Sequence, residues 1–314
     1  MHSDHATRIP SFVKQLGVVL LLSILTLAGC GGGGSGSTGG NNQPGKGISL
    51  TVGSKNDADG QLLAQMYSDL LANQGFTVTT KLALGQTPVL DAAIKSGAVD
   101  IYPEFTGTAL SLLKLPNTTD PHQAYDQVKA GYEQQFQVTW LDAAFNLNDS
   151  YGICTSQANA QKYNLHTLAD LAPVAGQLTI AEQEDAPQIL APVLAAYGIT
   201  FKGTTQISEQ LSFGAVSNDN AQVNECYTTD PNIVTQNFVL LTDPKNAFPA
   251  YNPAPIVRDP TLKKSSAIAT TLNALEPHLT TDKIVGLIKQ VSIDHKPVPQ
   301  VAKTFLQQEG LLPK

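Results

Sequence analysis

Phe105-Thr-Gly-Thr108 sets an aromatic ring and two hydroxyls beside a glycine, just past an alternating run, Val99-Asp-Ile-Tyr102, that Pro103 should stop. Open α/β sheets bind ligands at strand ends followed by glycine turns, so this stretch is a candidate ligand site. A ring and two hydroxyls can hold a small solute; alone they break no bond. Other reactive side chains are scattered. The six histidines, at 2, 5, 122, 166, 278 and 295, show no metal-ligand spacing. There is no GxSxG elbow and no SxxK, and Glu182, Glu184 and Asp185 read as a solvated acidic loop rather than an acid–base pair. No GxxxxGK or strand-placed GxGxxG cradles a phosphate. A net charge of −7 over 314 residues argues against nucleic acid and against a polybasic membrane surface. No enzymatic activity, metal or cofactor is expected.

The elements that would position this stretch alternate between strand and helix. Thr87 should cap a helix with Pro88 in its first turn and Gly97 just past its end. Before it, 48–52 reads as a strand, Leu62, Leu63, Met66, Leu70 and Leu71 recur on one face of a helix, and 76–84 reads as a strand. Strand, helix, strand, helix, strand is the order of a parallel α/β sheet. A polar helix over 117–135 and short strands at 138–142 and 151–155 follow, and from about 152 the alternation restarts. A helix carrying Leu165, Leu168 and Leu171 is expected, then strands at 178–181, 204–207, 221–227 and 239–242, with helices at 189–197 and 208–219 between them. The proline-rich segment 248–255 suggests a crossing strand or hinge, and helices at 262–279, 281–291 and 299–310 close the chain.

Arg8 and Lys14 precede an apolar core at 16–28 that ends Leu27-Ala-Gly-Cys30, the layout of a secretory signal. The ending resembles the bacterial lipobox, in which the cysteine becomes the lipid-modified first residue. A transmembrane anchor is the alternative, but the apolar run falls short of the ~20 residues a span needs. Residues 1–29 are then a lipoprotein signal peptide and 30–47, rich in glycine and serine, a flexible tether. With Cys30 lipidated, Cys154 and Cys226 remain, an even pair in an oxidising compartment, and a disulfide between them is expected. Two separate buried thiols are the alternative.

Gly53-Ser-Lys-Asn56, Leu84-Gly-Gln-Thr-Pro88, Asp100-Ile-Tyr-Pro-Glu-Phe-Thr-Gly-Thr108, Cys226-Tyr-Thr-Thr-Asp230, Pro249-Ala-Tyr-Asn-Pro-Ala-Pro255 and the last helix from Val301 to Leu311 stand in order along the chain. Together they resemble the substrate-binding proteins of quaternary-ammonium ABC importers, the glycine betaine, choline and carnitine osmoprotectant receptors. The resemblance implies a two-lobed α/β periplasmic-binding-protein fold with a two-strand hinge and a ligand cleft between the lobes. Lobe 1 would be 48–150 plus 252–314 and lobe 2 would be 151–251, with crossings near 148–152 and 249–253.

The same resemblance implies an aromatic cage. A trimethylammonium group has no N–H to donate, so ring faces select it. Carried over by position, the cage is Phe105, Tyr151, Tyr227 and Tyr251, with Asp149 beside the cation and Lys55 and Thr108 within reach of the ligand's polar end. Many family members carry an arginine for a ligand carboxylate where this chain has Ala186, which favours choline or another cation without a carboxylate, while Lys55 keeps glycine betaine open. The resemblance further implies a lipid-anchored, monomeric receptor on the extracytoplasmic face, periplasmic or cell-surface, served by a permease and an ATPase on other chains. A ligand-sensing lipoprotein of the same fold, without transport, is the alternative.

Overall fold

The computed structural model describes residues 43–314 apart from Glu184 and Asp185, so the expected signal peptide, Cys30 and the tether up to residue 42 lie outside the described residues. Residues 43–47, expected as the end of the tether, instead form a turn tied to the body. There the Gly45 N–H donates to the Gln74 carbonyl at 3.0 Å.

Ten strands are described: β1 Ser49–Gly53, β2 Thr77–Lys81, β3 Ile101–Phe105, β4 Val138–Trp140, β5 Tyr151–Ser156, β6 Thr179–Glu182, β7 Gly203–Gln206, β8 Val223–Tyr227, β9 Phe238–Leu240 and β10 Pro253–Arg258. They form two five-stranded sheets, ordered β2-β1-β3-β10-β4 and β7-β6-β8-β5-β9. Each sheet has the same plan. Three strands run parallel, and a strand that has just crossed from the other sheet enters antiparallel beside the third of them. The chain passes between the sheets twice, once from β4 to β5 and once from β9 to β10.

The two passages are bonded to each other. The Asp149 N–H donates to the Tyr251 carbonyl at 2.9 Å, the Tyr251 N–H donates to Asn148 Oδ1 at 2.9 Å, and Ser150 Oγ donates to the Pro249 carbonyl at 2.7 Å. The Asn252 side chain adds a bond to the Leu147 carbonyl at 2.9 Å.

Helix Ala58–Asn73 supplies the heart of the first core. Its apolar stripe, Leu62, Leu63, Met66, Leu70 and Leu71, is buried against β1, β2 and the helices Thr281–Ser292 and Val298–Gln308. Asp57 caps it, accepting from the Gly60 N–H at 2.8 Å. In the second sheet Cys154 and Cys226 are joined, with Cα atoms 5.9 Å apart, on the neighbouring strands β5 and β8.

Several local expectations are corrected. Pro103 does not stop its strand: β3 runs on to Phe105, with Pro103 opposite Pro255 and Phe105 opposite Pro253. Alternate facing residues in an antiparallel pair exchange no backbone bonds, so prolines fit there without a missing donor. The segment after Phe105 is not a turn but the helix Thr106–Leu112. Gln86, not Thr87, occupies the cap of helix Thr87–Ser96, and its side chain makes no capping bond; Gly97 ends that helix at φ 82° as expected. Leu165, Leu168 and Leu171 are buried but lie beyond helix Gln157–Tyr163, which Asn164 ends in a left-handed conformation. The helix expected at 262–279 is broken into Asp259–Leu262, Ala267–Asn273 and a 3₁₀ turn at Glu276–His278.

Candidate functional site

Tyr151 opens β5 and Tyr227 closes β8, and the two are direct register partners. Facing residues put their side chains on the same side of a sheet, and here the rings lie 4.9 Å apart at 48°. Tyr251 arrives from the second passage, its ring 5.5 Å from Tyr151 at 68°. A Cβ built on Gly107 would come within 2.2 Å of the Tyr251 ring, so only glycine admits the ring at that point of the Phe105-Thr-Gly-Thr108 stretch.

Phe105, at the end of β3, belongs to the same buried apolar cluster as Tyr151 and Tyr251, with Tyr227 packed on its edge. Ile189, from helix Pro187–Tyr197 on the second sheet, joins this cluster. Nothing in the sequence marks it as a site residue, because one isoleucine on an apolar helix looks like any other. Of the two expected hydroxyls, Thr108 is half-buried. Thr106 is the one tied in: its Oγ1 donates to the Ala250 carbonyl and accepts from the Asn252 N–H, each at 3.0 Å.

Lys55, just after β1, is buried, and its Nζ meets Glu104 Oε1 at 2.5 Å. Glu104 also accepts from the Tyr102 hydroxyl at 3.0 Å and from the Phe105 N–H at 2.8 Å. The Lys55 Nζ stands 5.5 Å from the centre of the Phe105 ring. Its charge is therefore neutralised from within the first sheet.

Asp149 lies on the first passage, between residues that bond to Tyr251 and lead into Tyr151. Thr229 Oγ1, beyond the end of β8, donates to Asp149 Oδ1. Burial pushes the Asp149 carboxyl up to about 6, against the bonds from Thr229 and Asp59 that draw it down. Asp59 is pushed well above the usual carboxylate range by burial and by the nearby Asp57 and Asp149. Asp59 was not foreseen, yet the sequence held a signal. It stands three and four residues before Leu62 and Leu63, an acid in line with an apolar stripe.

On the second sheet, the Gln183 backbone N–H donates to Glu225 Oε2 at 3.2 Å, and its Nε2 reaches Glu225 Oε1 at 3.2 Å and the Tyr227 hydroxyl at 3.4 Å. Ala186 is fully buried at the start of helix Pro187–Tyr197. Glu182 is buried and its carboxyl is raised by that burial. The only arginine among the described residues, Arg258, sits 3.7 Å from Asp100 at the far end of β10. Among the described residues, no three histidine, cysteine, aspartate or glutamate side chains are grouped to hold a metal ion.

Comparison with known proteins gives a consistent picture. The family described as the substrate binding domain of ABC-type glycine betaine transport systems matches residues 48–308. The carnitine transport binding protein OpuCC of Listeria monocytogenes is 30% identical over 313 residues, covering 95% of this chain and 97% of that protein. The glycine betaine-binding protein YehZ of Escherichia coli is 29% identical over 282 residues, covering 83% and 90%. The solved structure of a glycine betaine/carnitine/choline ABC transporter protein superimposes with a TM-score of 0.73 at 22% identity, covering 83% of this chain and 99% of that one. Two sheets joined by two crossing passages are thus the two-lobed fold of these binding proteins, and the chain belongs to the family of substrate-binding domains of ABC-type glycine betaine transport systems.

Proposed function

We propose that this protein captures a quaternary-ammonium solute outside the cytoplasm and delivers it to a membrane permease driven by an ATPase, both on other chains. One observation carries the reading: the rings of Tyr227 and Tyr251, from a strand end and a passage between the sheets, both pack on the Tyr151 ring, at 4.9 and 5.5 Å. Ring faces attract a cation at roughly 0.5–2 kcal/mol each, so these three with Phe105 offer about 2–8 kcal/mol, against ~8 kcal/mol for a micromolar site. The rings touch, so an entering cation replaces ring–ring contacts with ring–cation ones. Lobe 1, 48–150 plus 252–314, and lobe 2, 151–251, would close about the two bonded passages. Asp149 lies beside the cation, and Lys55 and Thr108 serve the ligand's polar end.

The disulfide between Cys154 and Cys226 supports an oxidising compartment. In keeping with that, residues 1–29 are a signal peptide, and Cys30 carries the lipid that anchors a monomeric receptor to the membrane. Calorimetric titration with choline, glycine betaine, carnitine and an uncharged amino acid tests the ligand class. At least one quaternary ammonium compound should bind while the amino acid does not. Binding of the amino acid alone would overturn the reading.

A further inference from the structure

Glu182 is the last residue of β6 and only 6% exposed, yet its carboxyl makes no hydrogen bond or ion pair with any described residue. The contrast with Glu104 is plain, since that equally buried carboxylate accepts from Lys55, Tyr102 and the Phe105 N–H. Nothing offsets the burial that raises the Glu182 carboxyl. Glu182 instead lines a cavity of about 250 Å³ between helix Pro187–Tyr197 and β7, the edge strand of the second sheet. Ile180, two residues earlier on the same face of β6, joins the buried Leu190 and Ile199 in an apolar floor. The half-buried Leu194 and Phe201 wall it, and exposed Ala191, Thr200 and Thr204 surround the mouth. Neither threonine hydroxyl bonds to Glu182. The cavity is separate from the tyrosine rings. Gln183, next in the chain, reaches away to Glu225 and the Tyr227 hydroxyl, and Ile189 packs with the rings while Leu190 lines the cavity.

We propose that this cavity is a second binding site, taking a small protonated amine whose N–H groups donate to Glu182 and whose apolar body covers the floor and walls. Each part of that ligand answers a feature of the cavity. A buried carboxylate without a donor is completed by a charge-assisted N–H bond, which a primary ammonium supplies and a quaternary one does not. The apolar lining gains by exchanging water for a hydrocarbon body, and the Phe201 ring adds a face to it. The volume falls just under the roughly 300–1,000 Å³ of pockets for drug-sized ligands, so the occupant is smaller than those. The two sites thus sort cations by their donors: rings alone suit an ammonium without N–H, and Glu182 suits one that has it.

Titration of the full chain with benzylamine in excess choline, followed through the methyl NMR signals of Ile180 and Ile199, tests the site. Saturable binding that choline does not displace is expected, with both methyl signals shifting. Benzyl alcohol, which keeps the ring and lacks the charge, and benzyltrimethylammonium, which keeps the charge and lacks the N–H, should each bind there at least about tenfold more weakly. Glu182→Gln should weaken benzylamine by a similar factor. Ala191→Phe fills the mouth from an exposed position, so it should block benzylamine and leave choline affinity unchanged, and it decides the matter if Glu182→Gln does not fold. No binding, displacement by choline, or binding that leaves both isoleucine signals unmoved overturns the site. Equal affinity for the amine and the alcohol overturns the role of Glu182 and with it the proposed ligand class.

Discussion

Lys55–Glu104 and the neighbouring acids Asp59 and Asp149 are two sets of ionisable groups near the start of helix Ala58–Asn73, and they are built in opposite ways. Lys55 and Glu104 have opposite signs, and Glu104 fills its remaining acceptor capacity with Tyr102 and the Phe105 backbone. This pair neutralises itself within the first sheet. Asp59 and Asp149 are both acids, one from the helix and one from the first passage, and burial raises both carboxyls above their usual range. The contrast separates a pair that neutralises itself from one whose ionisation burial opposes. Breaking each pair in turn should therefore give different results.

Glu104→Ala should have the largest effect. It leaves Lys55 buried and unpaired, which costs about 3–5 kcal/mol, read as a lower midpoint in denaturant unfolding. An unchanged midpoint would show that the pair is not structural. Next comes Gly107→Ala, which drives a methyl into the Tyr251 ring. It should cost about 1–3 kcal/mol of stability and weaken choline binding with it. Normal choline affinity in that variant would detach Tyr251 from the site.

Tyr227→Ala should leave folding nearly intact, since the ring is half-buried at a strand end, and weaken choline about tenfold, or ~1.4 kcal/mol. Titration of the variant checks it, and unchanged affinity removes Tyr227 from the cage. Asp59→Asn should have the smallest effect on stability, and in the opposite direction. A carboxyl whose folded pKa is raised contributes stability fully present below the unfolded value and lost as pH rises through the folded value. For Asp149, at about 6, that loss falls between about pH 4 and pH 6, and the raised Asp59 carboxyl adds a loss of the same sign. The variant should therefore unfold at equal or higher denaturant than the wild type at pH 8. A lower midpoint there would mean the two carboxyls do not oppose each other.

Much of this frame was legible in the sequence. The alternation of strand and helix, the leucine stripe of helix Ala58–Asn73 and the glycine that ends helix Thr87–Ser96 follow local periodicity and local backbone preference. Less legible was whatever depends on a distant neighbour. Pro103 looked like a terminator because a lone strand cannot use it; paired with β10, it sits where no donor is needed. Thr108 drew attention with its glycine, but Thr106 is the residue bonded to the second passage, 144 residues away.

The sequence by itself determined the α/β class, the family and the identity of the rings, because composition, periodicity and ordered motifs are properties of the chain alone. Only the tertiary structure decided what those rings and charges face. Tyr151 and Tyr227 meet because β5 enters its sheet antiparallel to β8, and Tyr251 joins them because the two passages bond to each other. Lys55 is neutralised because β3 brings Glu104 beneath it, while Asp59 meets Asp149 from 90 positions away in the chain. Coulomb energy and desolvation depend on distance in space, and the fold sets those distances.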